Sequence, residues 1–313
     1  MGQVPHGSNS VLTLGRVPAR PRRVLRPYPY LSILPPLLVI AAVSIYPVIF
    51  AGRLSLHRYI LTDPLNHPFT GLRNFAEALG SYYFARSLIT TAQFTASVAI
   101  AVIVYGVLVG LYLNRSGRLA AFLRGAVLLP WAIPPVMAGI LWKWIFNGDF
   151  GVLNAVLEGA GIIPSYVSWF GDPVLARLTL VTAQERKSEP QTAVMCLATL
   201  QVIPRDLYEA AYIDGGGSWA TFRHITLPFL RPTLLILLIL ETIGGFVTFD
   251  LVYVMTGGGP ADATSLVAWY AYAEIFRFLN LGKGAALAFL IAAITLVLAL
   301  AYVRLLRSEE MYA

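Results

Sequence analysis

The feature that most limits what this chain can fold into is a series of apolar runs about twenty residues long. The first, Leu31 to Ala51, holds no charged residue. At ~1.5 Å rise per residue, such a run makes a helix that matches the ~30 Å hydrocarbon core of a bilayer. Further runs follow at about Leu88 to Leu113, Gly125 to Phe146, Val174 to Ile203, Leu234 to Met255 and Ala285 to Leu305. A soluble core can absorb one such stretch but not several. Composition agrees, with 57% of residues hydrophobic and 12% charged, whereas a soluble domain carries about twice that charged share. The reading is an all-α polytopic membrane protein with six transmembrane helices, not a large soluble helical domain.

Orientation follows from where arginine and lysine lie beside the spans. Residues 1 to 28 form a basic, proline-containing tail with Arg16, Arg20, Arg22, Arg23 and Arg26, and are expected to be disordered. A secretory signal has a shorter apolar core followed by a small-residue cleavage site, so the first run reads as a retained span. On alternate connections lie Arg115, Arg118 and Arg124, then Arg205, Arg223 and Arg231, and finally Arg304 and Arg307. The other segments are longer but hold fewer: Arg53, Arg58, Arg73 and Arg86, then Arg277 and Lys283. Trp142 and Trp144 flank Lys143 as interfacial anchors do. Both termini are therefore expected on the cytoplasmic side of a cell inner membrane. Residues 29 to 308 form the spanning domain and 309 to 313 a final tail. The outer segments, about 52 to 86, 147 to 173 and 256 to 284, are expected to hold short interfacial helices.

The formal net charge of +7 does not point to nucleic acid, because the basic residues flank spans and no aromatic platform is interleaved with them. One cysteine, Cys196, excludes an internal disulfide and a thiolate cluster. His6, His57, His67 and His224 show no ligand spacing, so no metal site is expected.

The connection at 204 to 232 carries the most chemistry. Pro204 suits a helix start, and Asp206 and Glu209 suit the positive end of that helix. Gly215, Gly216 and Gly217 permit a reversal, Ser218 can cap a second short helix, and Pro228 is expected to break it before the next span. Small Ala210 and Ala211 beside Glu209 and Asp214 would let the hairpin press into a protein groove. On spacing alone, an ordinary cytoplasmic connection is as good a reading.

Glu209-Ala210-Ala211, Asp214-Gly215 and Ile225-Thr226-Leu227-Pro228 resemble the EAA loop of binding-protein-dependent ABC permeases. Tyr253-Val254-Met255-Thr256-Gly257-Gly258-Gly259-Pro260 resembles the outer-loop signature of the carbohydrate branch, the maltose, lactose and glycerol-phosphate type. Leu129-Pro130-Trp131-Ala132-Ile133-Pro134, Trp142 and Gly151-Val152-Leu153-Asn154 agree with that branch. The resemblance, over about residues 30 to 306, implies a type I ABC importer permease fold. It implies that Glu209, Ala210, Ala211, Asp214, Gly215, Ile225, Leu227 and Pro228 couple the spans to ATPases. The partners implied are a second homologous permease, two ATP-binding subunits and an extracytoplasmic solute-binding protein. Within the lipid bilayer the pair would pass a carbohydrate or phosphorylated polyol. A side chain at Gly215 is expected to obstruct the turn.

No cofactor is expected on this chain, since ATP and Mg²⁺ would be bound by the partner ATPase. Gly282-Lys283-Gly284 lacks the upstream glycine and the hydroxyl that a phosphate-binding loop needs. No nucleophile–base pair suggests an intramembrane enzyme. An ion-gradient-driven secondary transporter and a non-transporting scaffold are the alternatives, and the 209 to 228 loop speaks against both. Gln93, Tyr105, Trp142, Glu241, Thr248, Asp250 and Tyr253 are the candidates for an aqueous solute path.

One stretch departs from the family pattern. Gln184 to Gln191 places Glu185, Arg186, Lys187 and Glu189 in mid-span, and lipid-facing these would cost about 2.5–3.5 kcal/mol each, about 10 kcal/mol or more together. Either they pair with one another along the path, beside a kink at Pro190 that interrupts the span, or the segment reflects a compensated reading-frame error. The match resumes at Thr192.

Overall fold

A computed structural model describes residue 2, residues 28 to 63 and residues 65 to 310; side chains of 28 to 32 and 305 to 310 are outside the description. The tail expected over 1 to 28 lies outside the described residues apart from Gly2 and Tyr28, as do Met311 to Ala313 of the final tail. Residues up to Ile49 and residues from Phe50 onward are two compact units. In the first, α1 (Tyr28–Ile40) leads through a π-helical turn, Ala41–Ile45, into α2 (Tyr46–Ser55), which ends in the second unit.

The second unit then runs through α3 (Arg73–Leu79), α4 (Tyr82–Leu113), α5 (Arg118–Ala126), a 3₁₀ turn (Pro130–Ala132), α6 (Pro135–Ile145) and α7 (Val152–Gly159). It continues with α8 (Pro173–Val202), α9 (Arg205–Ile213), α10 (Ser218–Thr221), a π turn (Phe222–Thr226) and α11 (Leu227–Val247). It closes with α12 (Asp250–Met255), α13 (Val267–Phe276) and α14 (Leu281–Glu310), so the last helix reaches two residues into the expected tail. Among the described residues extended pairing is limited to the bridges His57–Phe69 and Ile60–Asn280. The short helices α3, α7 and α13 lie within residues 52 to 86, 147 to 173 and 256 to 284, where short helices were expected.

Among the described residues four helical segments are long and apolar enough to cross a membrane: Ile33–Ser55, Tyr82–Leu113, Ser218–Val247 and Leu281–Arg304. The third expected span is not one straight helix. Arg118–Ala132 and Pro135–Ile145 meet at 98°, where Pro130, Pro134 and Pro135 withdraw backbone donors and crowd the preceding turns. The fourth, α8, is 30 residues long and runs uninterrupted through Pro190, contrary to the expected break; its charges alone keep it from reading as apolar. The fifth begins earlier and ends earlier than Leu234 to Met255. Pro228 does not break it but sits in the first turn of α11, and the helix is continuous from Ser218 to Val247.

A common cause explains why these prolines are tolerated. Both π turns lie just before a proline, Pro47 and Pro228. A proline ring clashes with the carbonyl four residues back, here Val43 and His224, and one wider turn moves that carbonyl aside.

Lipid is as apolar as leucine, so helices associate in a bilayer through close packing more than through burial. The pairing of α4 with α8 shows this. Along α4, Thr91, Thr95, Val98, Val102, Gly106, Gly110 and Leu113 form one buried stripe at helical spacing. A side chain at Gly106 would strike Thr192, and one at Gly110 would come within 2.9 Å of the Cys196 Cβ. Gly245 of α11 lies against Thr95 of α4 in the same way. At one end of α4 a cluster of Phe94, Val98, Leu180, Leu251 and Trp269 joins α8, α12 and α13. At the other end Val107, Cys196, Leu200, Ile203, Leu230 and Leu237 tie α4 and α8 to α11.

Candidate functional site

The 204 to 232 connection is a hairpin. Pro204 precedes α9, and Asp206 lies in its first turn, where the helix dipole favours an acid. Asp214 and Gly216 donate their backbone N–H groups to Ala210 and Ala211 carbonyls at 3.0 and 2.8 Å, ending the helix. Gly215 takes φ +76°, which L side chains avoid, but an added Cβ would meet nothing within 4 Å. The glycine is needed for its backbone and not for room, which corrects the expected obstruction; the steric limit is at Gly216, whose Cβ would lie 2.8 Å from the Ala211 carbonyl. Ser218 does not cap the second arm. It is the first helical residue, Gly217 holds the cap position, and no side-chain cap bond forms.

The two arms join at Tyr208 and Thr226, whose hydroxyls lie 3.2 Å apart, and Tyr208, Phe222 and Ile225 rest on the Val107–Leu230 cluster. The base of the hairpin is thus bonded to the bundle while its crest is bare. Glu209, Ala210, Asp214 and Gly215 are exposed, Ala211 and Ile225 half-buried, and Leu227 and Pro228 exposed on the second arm. Tyr212 and Ile213 are each 82% exposed and Trp219 71%, so large apolar side chains crown a polar loop. Exposed apolar side chains of this kind mark protein or membrane contact surfaces. Sequence reasoning named the acids and alanines of this crest and missed Tyr212, Ile213 and Trp219, although their positions beside the glycines were in view.

The candidate path residues divide into groups. Three meet the charged stretch of α8 from different helices. Tyr105 of α4 lies under the Arg186 guanidinium, 5.0 Å from ring centre to Cζ. Trp142 of α6 lines a cavity of about 350 Å³ with Arg186, Lys187, Glu189 and Pro190. Glu241 of α11 is buried and lies beside Ser188 and Lys187. The charges also pair among themselves as expected: Arg186 Nε lies 3.0 Å from Glu185 Oε2 and Nη1 2.7 Å from Glu189 Oε2. The second Glu185 oxygen and the Gln184 carbonyl oxygen are buried without a partner.

Gln93 stands apart from that group, accepting from Arg177 Nη1 at 3.4 Å. Thr248 bonds back to the Gly244 carbonyl at 2.9 Å, and Asp250 opens α12, half-buried. Tyr253 belongs to an aromatic cluster, with Phe249, Trp269 and Tyr272 at 5.4, 6.0 and 5.6 Å between ring centres. Asn154, quoted only as part of a motif, is fully buried and organises residues 147 to 169. Among the described residues no group of three or more His, Cys, Asp or Glu could hold a metal ion.

The family model of the "binding-protein-dependent transport system inner membrane component" matches residues 102 to 309. The chain belongs to this family. The permease is 38% identical over 279 residues to the trehalose/maltose transport system permease protein MalF of Thermococcus litoralis, covering 88% of this chain and 92% of the relative. It is 33% identical to the sulfoquinovosyl glycerol transport system permease protein SmoG of Agrobacterium fabrum, over 90% of each. Among solved structures, a bacterial ABC transporter involved in import of the acidic polysaccharide alginate matches with TM-score 0.77 at 21% identity, over 90% of this chain and 95% of that one. The permease therefore has the type I importer fold. It is a multi-pass membrane transport subunit, and nothing in these matches supports a carrier driven by an ion gradient.

Proposed function

We propose that this permease, paired with a second, homologous permease, imports a carbohydrate or related polyol, drawing work from two separate ATP-binding subunits that grip its hairpin. The sugar class comes from relatives named for trehalose/maltose and sulfoquinovosyl glycerol transport. A soluble binding protein would deliver the solute on the outer face, both termini would lie inside, and the ATPase partners would bind ATP and Mg²⁺.

The observation that carries this reading is the hairpin: an exposed crest of Glu209, Asp214, Tyr212, Ile213 and Trp219 on a base bonded to the bundle. When the ATPase pair closes, a groove that holds the crest displaces α9 and α10. Because α10 continues into α11, the span moves with them. The bundle then exchanges between two rigid arrangements, each stabilised by different contacts. Polar groups around Arg186, Trp142 and Glu241 give the bundle interior a wettable surface.

The test is reconstitution of the complete importer with Asp214→Arg or Gly215→Val. Solute-stimulated ATP hydrolysis is expected to vanish while membrane insertion stays normal. Full stimulation in both variants would remove the coupling role from the hairpin.

A further inference from the structure

At the end of α4 far from the hairpin, a cleft of about 360 Å³ opens between the first turns of α4 and α8 and the 261–263 loop. Its lining includes Tyr82, Arg86, Thr90, Gln93, Arg177 and Ala261. Arg86 lies in the second turn of α4 and Arg115, just past its end, lines a cavity with Tyr208, Tyr212 and Gly216, so roughly 40 Å separates this cleft from the hairpin at ~1.5 Å per residue.

Neither guanidinium in the cleft is neutralised. Arg177 uses Nε on the Pro173 carbonyl at 3.2 Å and Nη1 on Gln93 at a long 3.4 Å, with no ion pair to a carboxylate among the described residues. Arg86 is exposed and has no hydrogen bond or ion pair among the described residues. The acid nearest in sequence, Asp172, is committed to capping α8, accepting from the Val174 and Leu175 N–H groups at 2.8 and 2.9 Å. The loop on the rim is strained, with Ala261 and Asp262 at φ 46° and 57°, and such strain collects at ligand sites.

We propose that this cleft binds an anionic oxygen group (carboxylate, phosphate or sulfonate) between the Arg86 and Arg177 guanidinium groups, with the Gln93 amide as a neutral donor. Two planar donor forks lining one concave cleft suit an oxyanion better than a neutral hydroxyl, and the rim acid Asp262 lines a neighbouring cavity instead. The group belongs either to an acidic solute, which rests on the import function proposed above, or to a phospholipid headgroup.

The full chain in phosphatidylcholine nanodiscs is titrated with inorganic phosphate and followed by thermal unfolding. A parallel sample in mixed nanodiscs with phosphatidylglycerol is analysed for retained lipid by native mass spectrometry. Wild type, the double variant Arg86→Ala with Arg177→Ala, and Arg177→Lys are compared. The double variant is expected to lose about tenfold or more in affinity, as loss of charge-assisted hydrogen bonds requires, and the lysine variant to keep part of it. Binding of free phosphate identifies the solute as the source; retention of phosphatidylglycerol alone identifies the lipid. Equal behaviour of wild type and double variant toward both probes overturns the site. Neither readout involves an ATPase, so a chain that binds the anion and fails to import sinks only the transport reading.

Discussion

Asn154 Oδ1 accepts the indole N–H of Trp169 at 2.9 Å and the backbone N–H of Val167 at 3.2 Å. The same side chain donates to the carbonyls of Asn147, Gly148 and Val167 at 3.3, 3.3 and 3.0 Å. One amide therefore holds the loop between α6 and α8 closed on itself, with α7 inside it. Replacing it by alanine strands several buried groups at about 1–3 kcal/mol each. Asn154→Ala should open residues 147 to 172 to limited proteolysis and lower the melting temperature. Unchanged cleavage in this loop would show that the network is redundant.

Gly215 and Gly216 answer to different constraints, and substitution can separate them. Asparagine tolerates left-handed φ, whereas valine there costs about 1–2 kcal/mol or more. Gly215→Asn should keep most solute-stimulated ATP hydrolysis, and Gly215→Val should lose it. At Gly216, where the Ala211 carbonyl is 2.8 Å from an added Cβ, alanine should already impair the hairpin. Equal activity of all three would refute this division.

The contact of α4 with α8 depends on two glycines. Gly106→Leu forces a side chain into Thr192, and Gly110→Leu into Cys196; overpacking of this kind costs about 1–3 kcal/mol. Gly244→Ala, with open space at its Cβ, is the control and should be neutral. Thermal unfolding in detergent reads the difference, and equal melting temperatures would rule out close packing as the bond between the two spans.

Arg186 holds two carboxylates. Arg186→Met leaves Glu185 and Glu189 unpaired, and the loss should be about 1–3 kcal/mol. That is less than for a fully buried pair, because the guanidinium side chain is 42% exposed. Replacing all three residues by apolar ones should restore stability to within about 1 kcal/mol. A triple variant less stable than the single one would mean that the charges hold more than each other.

What the sequence disclosed depended on charge. Spans beginning at Ile33, Tyr82 and Leu281 were legible because no cluster of charges interrupts them. The α8 span was read as broken because proline and four charges are strong local signals, while the ion pairs that offset them are tertiary. Pro228 misled for the same reason: a π turn that absorbs a proline leaves no mark in residue pattern. The 98° bend before α6 had a signal in Pro130 and Pro134 that was read only as a family likeness, and in Pro135, which was passed over. The hairpin emerged from motif spacing, but its apolar crest and the Arg86–Arg177 cleft needed coordinates, since the first is a matter of exposure and the second joins residues 91 positions apart.

The uninterrupted run from Ser218 to Val247 makes the second arm of the hairpin and the span beyond it a single shaft. A handle welded to its shaft has no slack. A tilt imposed at Trp219 is carried along one continuous helix toward Val247, about 40 Å away along the axis at ~1.5 Å per residue. If ATPase subunits grip the hairpin as proposed, a small motion there would suffice to move the span.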